Sequence, residues 1–262
     1  AGSAAAAAKK SEKGELREIF VAALLWDVIL VLAVTLVRAM AGADIGLDFW
    51  RCTDSRHYLD IAADWYLSEG SIDRLVQLVF LPGYPLAVRA VRLFVRSYVL
   101  AGMLVSALCF AGSACLLYRL LRLDMTREKA LRVVVFFCIM PSSFFFAAPM
   151  SESLFMLLSL SCVYLSRRGK FIPAAVFGAL ACFTRSVGLA LLVPLLFEFI
   201  AQRRRIRDYL ALLIVPLGFA VYCYVNYAVA GDPFKFMEYQ QSHWNQSFGL
   251  FFSTAAYQTD KA

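Results

Sequence analysis

Charge is what this sequence has least of. Asp, Glu, Lys and Arg make up 17% of its 262 residues, against about 25% in an ordinary soluble domain. So little charge cannot dress a large water-facing surface, and it argues against one or two soluble domains. Histidine is scarcer still. The two present, His57 and His243, stand in separate polar stretches with no HExxH or HxxxH spacing, so no metal site is expected. None of the seven cysteines forms a CxxC pair, and six of them (Cys109, Cys115, Cys138, Cys162, Cys182 and Cys223) lie inside apolar runs, where cysteine acts as a small hydrophobe. Cys52 alone is in a polar stretch, which excludes a disulfide framework. Gly-rich phosphate loops and a GxSxG elbow are also missing, which removes the common nucleotide-binding and hydrolase signatures. The net charge of +7 comes in short bursts between apolar runs, and the aromatics lie within those runs, a pattern unlike a nucleic-acid surface.

What the chain has instead is grease, 61% of it. "IFVAALLWDVILVLAVTLVRAMA" (19–41), "VLAGMLVSALCFAGSACLLY" (99–118) and "YLALLIVPLGFAVYCYVNYAV" (209–229) are each long enough to cross a bilayer. Residues 1–18, alanine-rich and basic, are read as a disordered leader or linker and kept out of the functional reading. Placing Lys9, Lys10, Lys13 and Arg17 in the cytoplasm sends residues 42–78 to the far side. That stretch carries seven acids against Arg51, Arg56 and Arg74, which suits an outer or lumenal loop.

Residues 79–97 would be a poor span, because Arg89, Arg92 and Arg96 recur every three or four positions along one helical face. We read 84–97 as a helix lying in the outer interface, so that the outer loop extends over 42–98. Residues 133–148 and 151–166 then form short paired segments, and "RRGK" (167–170) marks the cytoplasm. The run 171–200 has basic bursts at both ends and one polar break, "TRSVG" (184–188), so it must be a hairpin. Each arm, at 1.5 Å per residue, reaches about 21 Å, less than the hydrocarbon core. The expected fold is all-α: a polytopic membrane domain over 19–262 with about seven membrane segments. Its C-terminal end, "TAAYQTDKA", is expected to stop short of the domain's end. Four polar patches fall on one side: the first loop, Ser151–Ser153, Thr184–Ser186 and the stretch after residue 230.

Asp54, in "CTDSRHYL", is the candidate general base, beside Arg56 and His57. The bland alternative is a solvated acid or an N-cap of the helix that follows. Asp60 and Asp64, four apart, read as surface. Arg185 at a membrane turn needs an anion or a wet cavity, and its fork matches a phosphate; the alternative is an ion pair with Glu152. Glu152 itself could bind a substrate hydroxyl, and Asp27 reads as packing. "HWNQS" (243–247) offers His243, Trp244 and Asn245 as a sugar platform or an interfacial anchor, and Asn245 opens an N-glycosylation triplet.

Taken in order, "TDSRHYLDIAADWY" (53–66), "FLPGYPLAV" (80–88), "PMSESLF" (149–155) and "TRSVGL" (184–189) resemble the PIG-V family, the GPI mannosyltransferase 2 enzymes and their prokaryotic homologues. "GDPFKFMEYQQSHWNQSFG" (231–249) is similar to that family's outer loop after a helix. The resemblance implies a GT-C helix bundle that transfers a hexose, mannose in the eukaryotic members, from a polyprenyl-phosphate carrier to a glycolipid acceptor by inversion. No metal or other cofactor is expected, and a small membrane partner subunit is possible.

The resemblance maps the catalytic acid onto Asp54 and the donor-phosphate contact onto Arg185. Arg56, His57, Tyr58, Ser151, Glu152, Ser186, His243, Trp244 and Asn245 are the candidate orienting or substrate-binding residues. The site would face the outer side of a prokaryotic plasma membrane or the lumen of the endoplasmic reticulum. Thr53, Met150 and Val187 depart from the family's usual Trp, Tyr and Asn at those positions. Two other classes remain open: a transporter of an anionic lipid, and a non-catalytic membrane subunit.

Overall fold

The computed structural model describes residues 2–66, 75–203 and 205–244, and every regular element among them is helical. They fall into two units: Ala1–Trp65 with Leu81–Tyr222, and Tyr66–Phe80 with Cys223–Ala262.

In the first unit, helix α1 runs Gly2–Met40. Alanine has the highest helix propensity, so nothing in the alanine-rich start breaks the helix. It stops where Gly42 takes a φ of +67°, the left-handed conformation that commonly ends a helix. The stretch read as a leader is therefore helical, and its last turns are tied down. Glu12 meets Arg119 at 3.1 Å, and Glu15 accepts from Tyr118 Oη at 2.5 Å and Arg127 Nε at 2.8 Å. Further along, Leu25, Val28, Leu32 and Leu36 lie exposed on the helix, as a lipid-facing surface requires.

Helix α2 (Asp54–Asp64) and helix α3 (Gly83–Arg92) follow. The interfacial helix expected over 84–97 is thus a short one. Arg92 turns back, donating to the Val95 carbonyl at 3.1 Å and lying 4.9 Å from the Tyr98 ring, while Arg96 falls outside the helix. Ser97 then caps helix α4 (Tyr98–Leu121) by accepting from Leu100 N. This helix packs against α1, α2 and α3 and, further on, against the elements at 127–139 and 152–167. Ala101, Gly102, Ser106, Ala111, Ser113 and Ala114 are buried along it, and such small side chains let neighbouring backbones approach closely.

Helix α5 (Arg127–Ile139) ends before Pro141, which has no N–H to continue the ladder. A 63° bend separates it from Pro141–Ala147, so the expected straight segment 133–148 is a broken one. Helices α6 (Glu152–Arg167), α7 (Phe171–Thr184) and α8 (Leu192–Ala201) come next, with a 3₁₀ turn over Ser186–Leu191 between the last two. After a 3₁₀ stretch, Ile206–Ile214, helix α9 (Val215–Ala230) begins.

Among the described residues, three helical stretches are by themselves long and apolar enough to cross: Glu12–Met40, Tyr98–Leu121 and Asp208–Ala230. Counted as one span, the bent pair is a fourth. Helices α6, α7 and α8, of 16, 14 and 10 residues, are shorter than a span. The chain is an all-α integral membrane protein.

Two ends of the first unit are pinned differently. At one, Arg167 reaches Asp124 at 2.8 Å and Glu198 at 3.2 Å, joining the ends of α4, α6 and α8. At the other, backbones touch. A Cβ on Gly83 would lie 2.5 Å from Thr184 Oγ1 and 2.9 Å from the Phe183 carbonyl, and one on Gly102 would lie 2.7 Å from Pro149 Cβ.

In the second unit, Tyr66 Oη donates to the Phe80 carbonyl at 2.5 Å, and Phe80 meets Trp244 edge-on at 6.1 Å. Helix α10 (Lys235–Trp244) packs on the 3₁₀ turn Val76–Val79, and Asn226 Oδ1 accepts from Phe236 N at 3.2 Å.

Because the Gly83 contact is with backbone, it cannot yield by a rotamer change. Gly83→Ala should destabilise the protein by about 1–3 kcal/mol, seen as a lower melting temperature by fluorescence-detected size exclusion. Ala87→Ser, one turn along α3 at a half-buried position, should melt close to wild type.

Candidate active site

The four motifs singled out in the sequence meet in the first unit. Their junction is Tyr58, one helical turn after Asp54 on the same face of α2. Tyr58 is buried, and its hydroxyl lies 2.8 Å from Ser151 Oγ. Ser151 accepts from Arg185 Nη1 at 3.0 Å, and the same Nη1 reaches Glu152 Oε1 at 2.5 Å. Burial pushes the Tyr58 hydroxyl up to about 12, against the bond from Ser151, and the charges of Arg185, Glu152 and Asp54 also reach it. At any ordinary pH this tyrosine is a neutral bridge.

Tyr84 supports it from behind. Its ring meets Tyr58 edge-on at 5.5 Å, and its hydroxyl is 2.8 Å from both the Gly102 carbonyl and Ser106 Oγ. Neither Tyr84 nor Ser106 was among the residues expected from the sequence. Tyr84 stands inside "FLPGYPLAV", flanked by Gly83 and Pro85, and that setting was its signal. Ser106 had none beyond being polar in an apolar run.

Arg185 is held at one nitrogen. Its hydrogen bonds among the described residues leave from Nη1, and its side chain is 37% exposed. The remaining edge of the guanidinium, Nε and Nη2, is the part that can face an anion. Glu152 has its second oxygen, Oε2, buried without a hydrogen-bond partner. The ion pair considered as an alternative for Arg185 is therefore present, and it leaves both residues with unused capacity.

Asp54 is exposed at the first position of α2 and does not cap it. The helix N-terminus favours its negative charge. The residue before it, Thr53, has φ +48° and ψ −133°, a conformation that a β-branched side chain strongly disfavours. Ser55 Oγ donates back to the Trp50 carbonyl at 2.5 Å and the Cys52 carbonyl at 2.6 Å, and Trp50 stacks on Phe144 at 5.7 Å. This fastened turn fixes where α2, and with it Asp54, begins.

Among the neighbours, Arg56 points along α2 to Asp60 at 3.9 Å. Asp60 in turn is not merely surface: Arg51 holds it at 2.5 Å, because the turn before α2 brings residue 51 over the helix. Asp64 is exposed, as expected. His57 is half-buried, and desolvation lowers its pKa below 6.5, while Asp54 and Asp60 push it back up. Ser186 is exposed at the start of the 3₁₀ turn after Arg185.

His243 and Trp244 belong to the second unit. There, His243 Nδ1 is 2.9 Å from Ser242 Oγ, and its ring lies 5.9 Å from both Tyr239 and Trp244. Asn245 and its glycosylation triplet lie outside the described residues.

Comparison with known proteins agrees with this set of motifs. The family model for mannosyltransferases of the PIG-V type matches residues 32–246. The chain is 33% identical over 168 residues to the GPI alpha-1,6-mannosyltransferase 2 of Mus musculus, covering 59% of this chain and 31% of that protein. For the protein of the same name in Homo sapiens the identity is 32% over 165 residues, with the same coverage. The match thus spans about a third of the length of these curated relatives. No solved structure matches.

The lowered His57 pKa has a testable sign. Below pH 6.5 the unfolded chain takes up a proton that half-buried His57 resists, so stability falls with pH until the folded pKa is passed. Thermal melts should show His57→Gln losing less stability than wild type between neutral pH and about pH 5.5.

Proposed function

The chain belongs to the mannosyltransferase (PIG-V) family, and from that premise we propose that it carries the hexose-transfer site of a membrane glycosyltransferase. The donor is a polyprenyl- or dolichyl-phosphate sugar, the sugar is mannose, and the acceptor is a glycolipid. The observation that carries this reading is the gathering of Asp54, Tyr58, Ser151, Glu152 and Arg185 at one end of the first unit's helices. A base and a free guanidinium edge are the two groups that an inverting transfer from a phosphate leaving group needs.

Asp54 takes the proton of the acceptor hydroxyl as that oxygen bonds to the anomeric carbon. The bond from that carbon to the phosphate oxygen breaks, and the polyprenyl phosphate leaves with its electron pair. Arg185, braced by Glu152 and Ser151, presents Nε and Nη2 to the growing phosphate charge. The bracing matters because an arginine already in position does not reorganise during the reaction. Glu152 contributes to the wall of the substrate site beside Arg185, and Tyr58 and His57 keep the base over the sugar. Ser186, at the mouth of the turn, offers a further hydroxyl. His243, Trp244 and Asn245 are a separate candidate sugar-binding platform.

Lipid-linked substrates enter from the bilayer past the short arms α7 and α8. The site faces the outer or lumenal side, in the endoplasmic reticulum of a eukaryote or the plasma membrane of a prokaryote. This orientation puts the basic bursts at residues 119–132 and 167–170 in the cytoplasm.

Transfer of radiolabelled mannose from polyprenyl-phosphate-mannose in proteoliposomes tests the assignment. Asp54→Asn should lower the rate by about 10²–10⁴-fold, and undiminished transfer would remove it as the base. Arg185→Ala should cost about 10²–10³-fold in kcat, while Arg185→Lys recovers part of it. Lipid translocation without glycoside formation would point to a transporter instead.

A further inference from the structure

The ends of α4 and α6 away from Arg185 enclose a second site that the transfer reaction does not use. From Gly102 to Arg119 along α4, and from Glu152 to Arg168 through α6, the chain travels about 25 Å, so this end lies at the opposite face of the hydrocarbon core. A cavity of about 510 Å³ opens there, lined by Glu12, Glu15, Tyr118, Arg119, Arg122 and Arg168, among others.

Its charges do not cancel. Glu12 is matched by Arg119 at 3.1 Å, and Glu15 by Arg127 at 2.8 Å. Arg122 spends one nitrogen on the Met125 carbonyl, and among the described residues neither it nor Arg168 has an acid within salt-bridge distance. The cavity lining thus sets three arginines against two glutamates, with neither Arg122 nor Arg168 tied into an ion pair among the described residues and the Tyr164 ring, 5.4 Å from Arg119, forming part of its wall.

Glu15 is also a wall of a second space, a groove of about 330 Å³ between α1 and α5. That groove is apolar along its length, lined by Ile19, Ala22, Trp26, Leu131, Val135 and Ile139, with Arg127 and Glu18 at its charged end. From Glu15 to Trp26 it follows α1 for about 16 Å. An arginine cavity at interface depth, continued by an apolar groove running into the membrane, has the polarity of one molecule: a lipid with an anionic head and a hydrocarbon tail.

We propose that this pair of cavities binds an anionic phospholipid, its phosphate against Arg122 and Arg168 and an acyl chain in the α1–α5 groove. Arginine suits the phosphate because its fork donates two parallel bonds, and basic pockets between membrane helices are where such head groups settle. The occupant is a structural or regulatory lipid of the leaflet opposite the transfer site, distinct from donor and acceptor.

The test is lipid retention by the purified full chain in detergent, read by native mass spectrometry after exposure to equal amounts of dioleoylphosphatidylglycerol and dioleoylphosphatidylcholine. Wild type should retain the phosphatidylglycerol with a preference of up to about thirtyfold, the scale expected for two arginines near an anionic head group. The double variant Arg122→Gln with Arg168→Gln should lose the preference, and the double lysine variant should keep most of it. Ala22→Trp, which fills the groove and leaves both arginines in place, should lower retention. Arg185→Ala should leave the preference intact, whether or not the transfer mechanism holds.

Equal retention of both lipids by wild type overturns the proposal, as does a preference that survives loss of both arginines. A preference lost in Arg185→Ala would move the lipid to the transfer site. Full displacement by inorganic phosphate, with Ala22→Trp behaving as wild type, would make this a soluble-anion site and equally overturn it.

Discussion

The Arg185 guanidinium organises the first unit. An arginine at the end of a short membrane helix must be answered by an acid, a dipole or water, or the helix cannot stay where it is. Here Nη1 is answered twice, by Glu152 and by Ser151 at the start of α6. Ser151 passes the connection to Tyr58 on α2, and Tyr58 to Tyr84 on α3. The backbone beside Arg185 completes the circle, since Thr184 lies against Gly83 with no room for a side chain. Four stretches far apart in the chain are thus held by one charge and the neutral hydroxyls around it.

That arrangement explains how a helix too short to span can be useful. Helix α7 ends below the reach of a full crossing, so its terminal arginine stands inside the protein's own polar patch. Strong anchoring at one nitrogen leaves the other edge of the guanidinium both aimed and available. The strained Thr53 and the fastened turn at Trp50–Ser55 act in the same sense on Asp54. Position is fixed by backbone and buried hydroxyls, while Asp54 and one edge of Arg185 stay accessible.

The two ends of the helices are built from different materials. At the Arg185 end the buried contacts are close backbone approaches and neutral hydroxyls around the Arg185–Glu152 pair. At the other end they are ion pairs: Arg167 with Asp124 and Glu198, Arg119 with Glu12, Arg127 with Glu15. The second pattern suits a headgroup region, where long charged side chains reach water and lipid phosphate. A surplus of arginine over acid there is cheap to maintain and ready to take an anion.

Much of this was legible before any coordinates. Apolar run length and the spacing of basic bursts establish an all-α membrane chain, and the hairpin argument about 171–200 puts Arg185 at the same end as Glu152 and Asp54. Those inferences hold because solvation by lipid is a strong, one-dimensional constraint that every segment must satisfy by itself. Other features depend on partners that no local window contains. The helical start needs the arginines on α4 and α5 to answer Glu12 and Glu15. Asp60 was taken for surface because its partner Arg51 lies across a turn. The break at Pro141 shortened an expected segment, and Tyr84 and Ser106 acquire a role only through Tyr58. Side-chain pairing is a three-dimensional matter, set by which helix ends arrive together. The sequence therefore determined that the chain is a helical membrane protein and which residues could do chemistry, and the tertiary structure alone decided which of them meet.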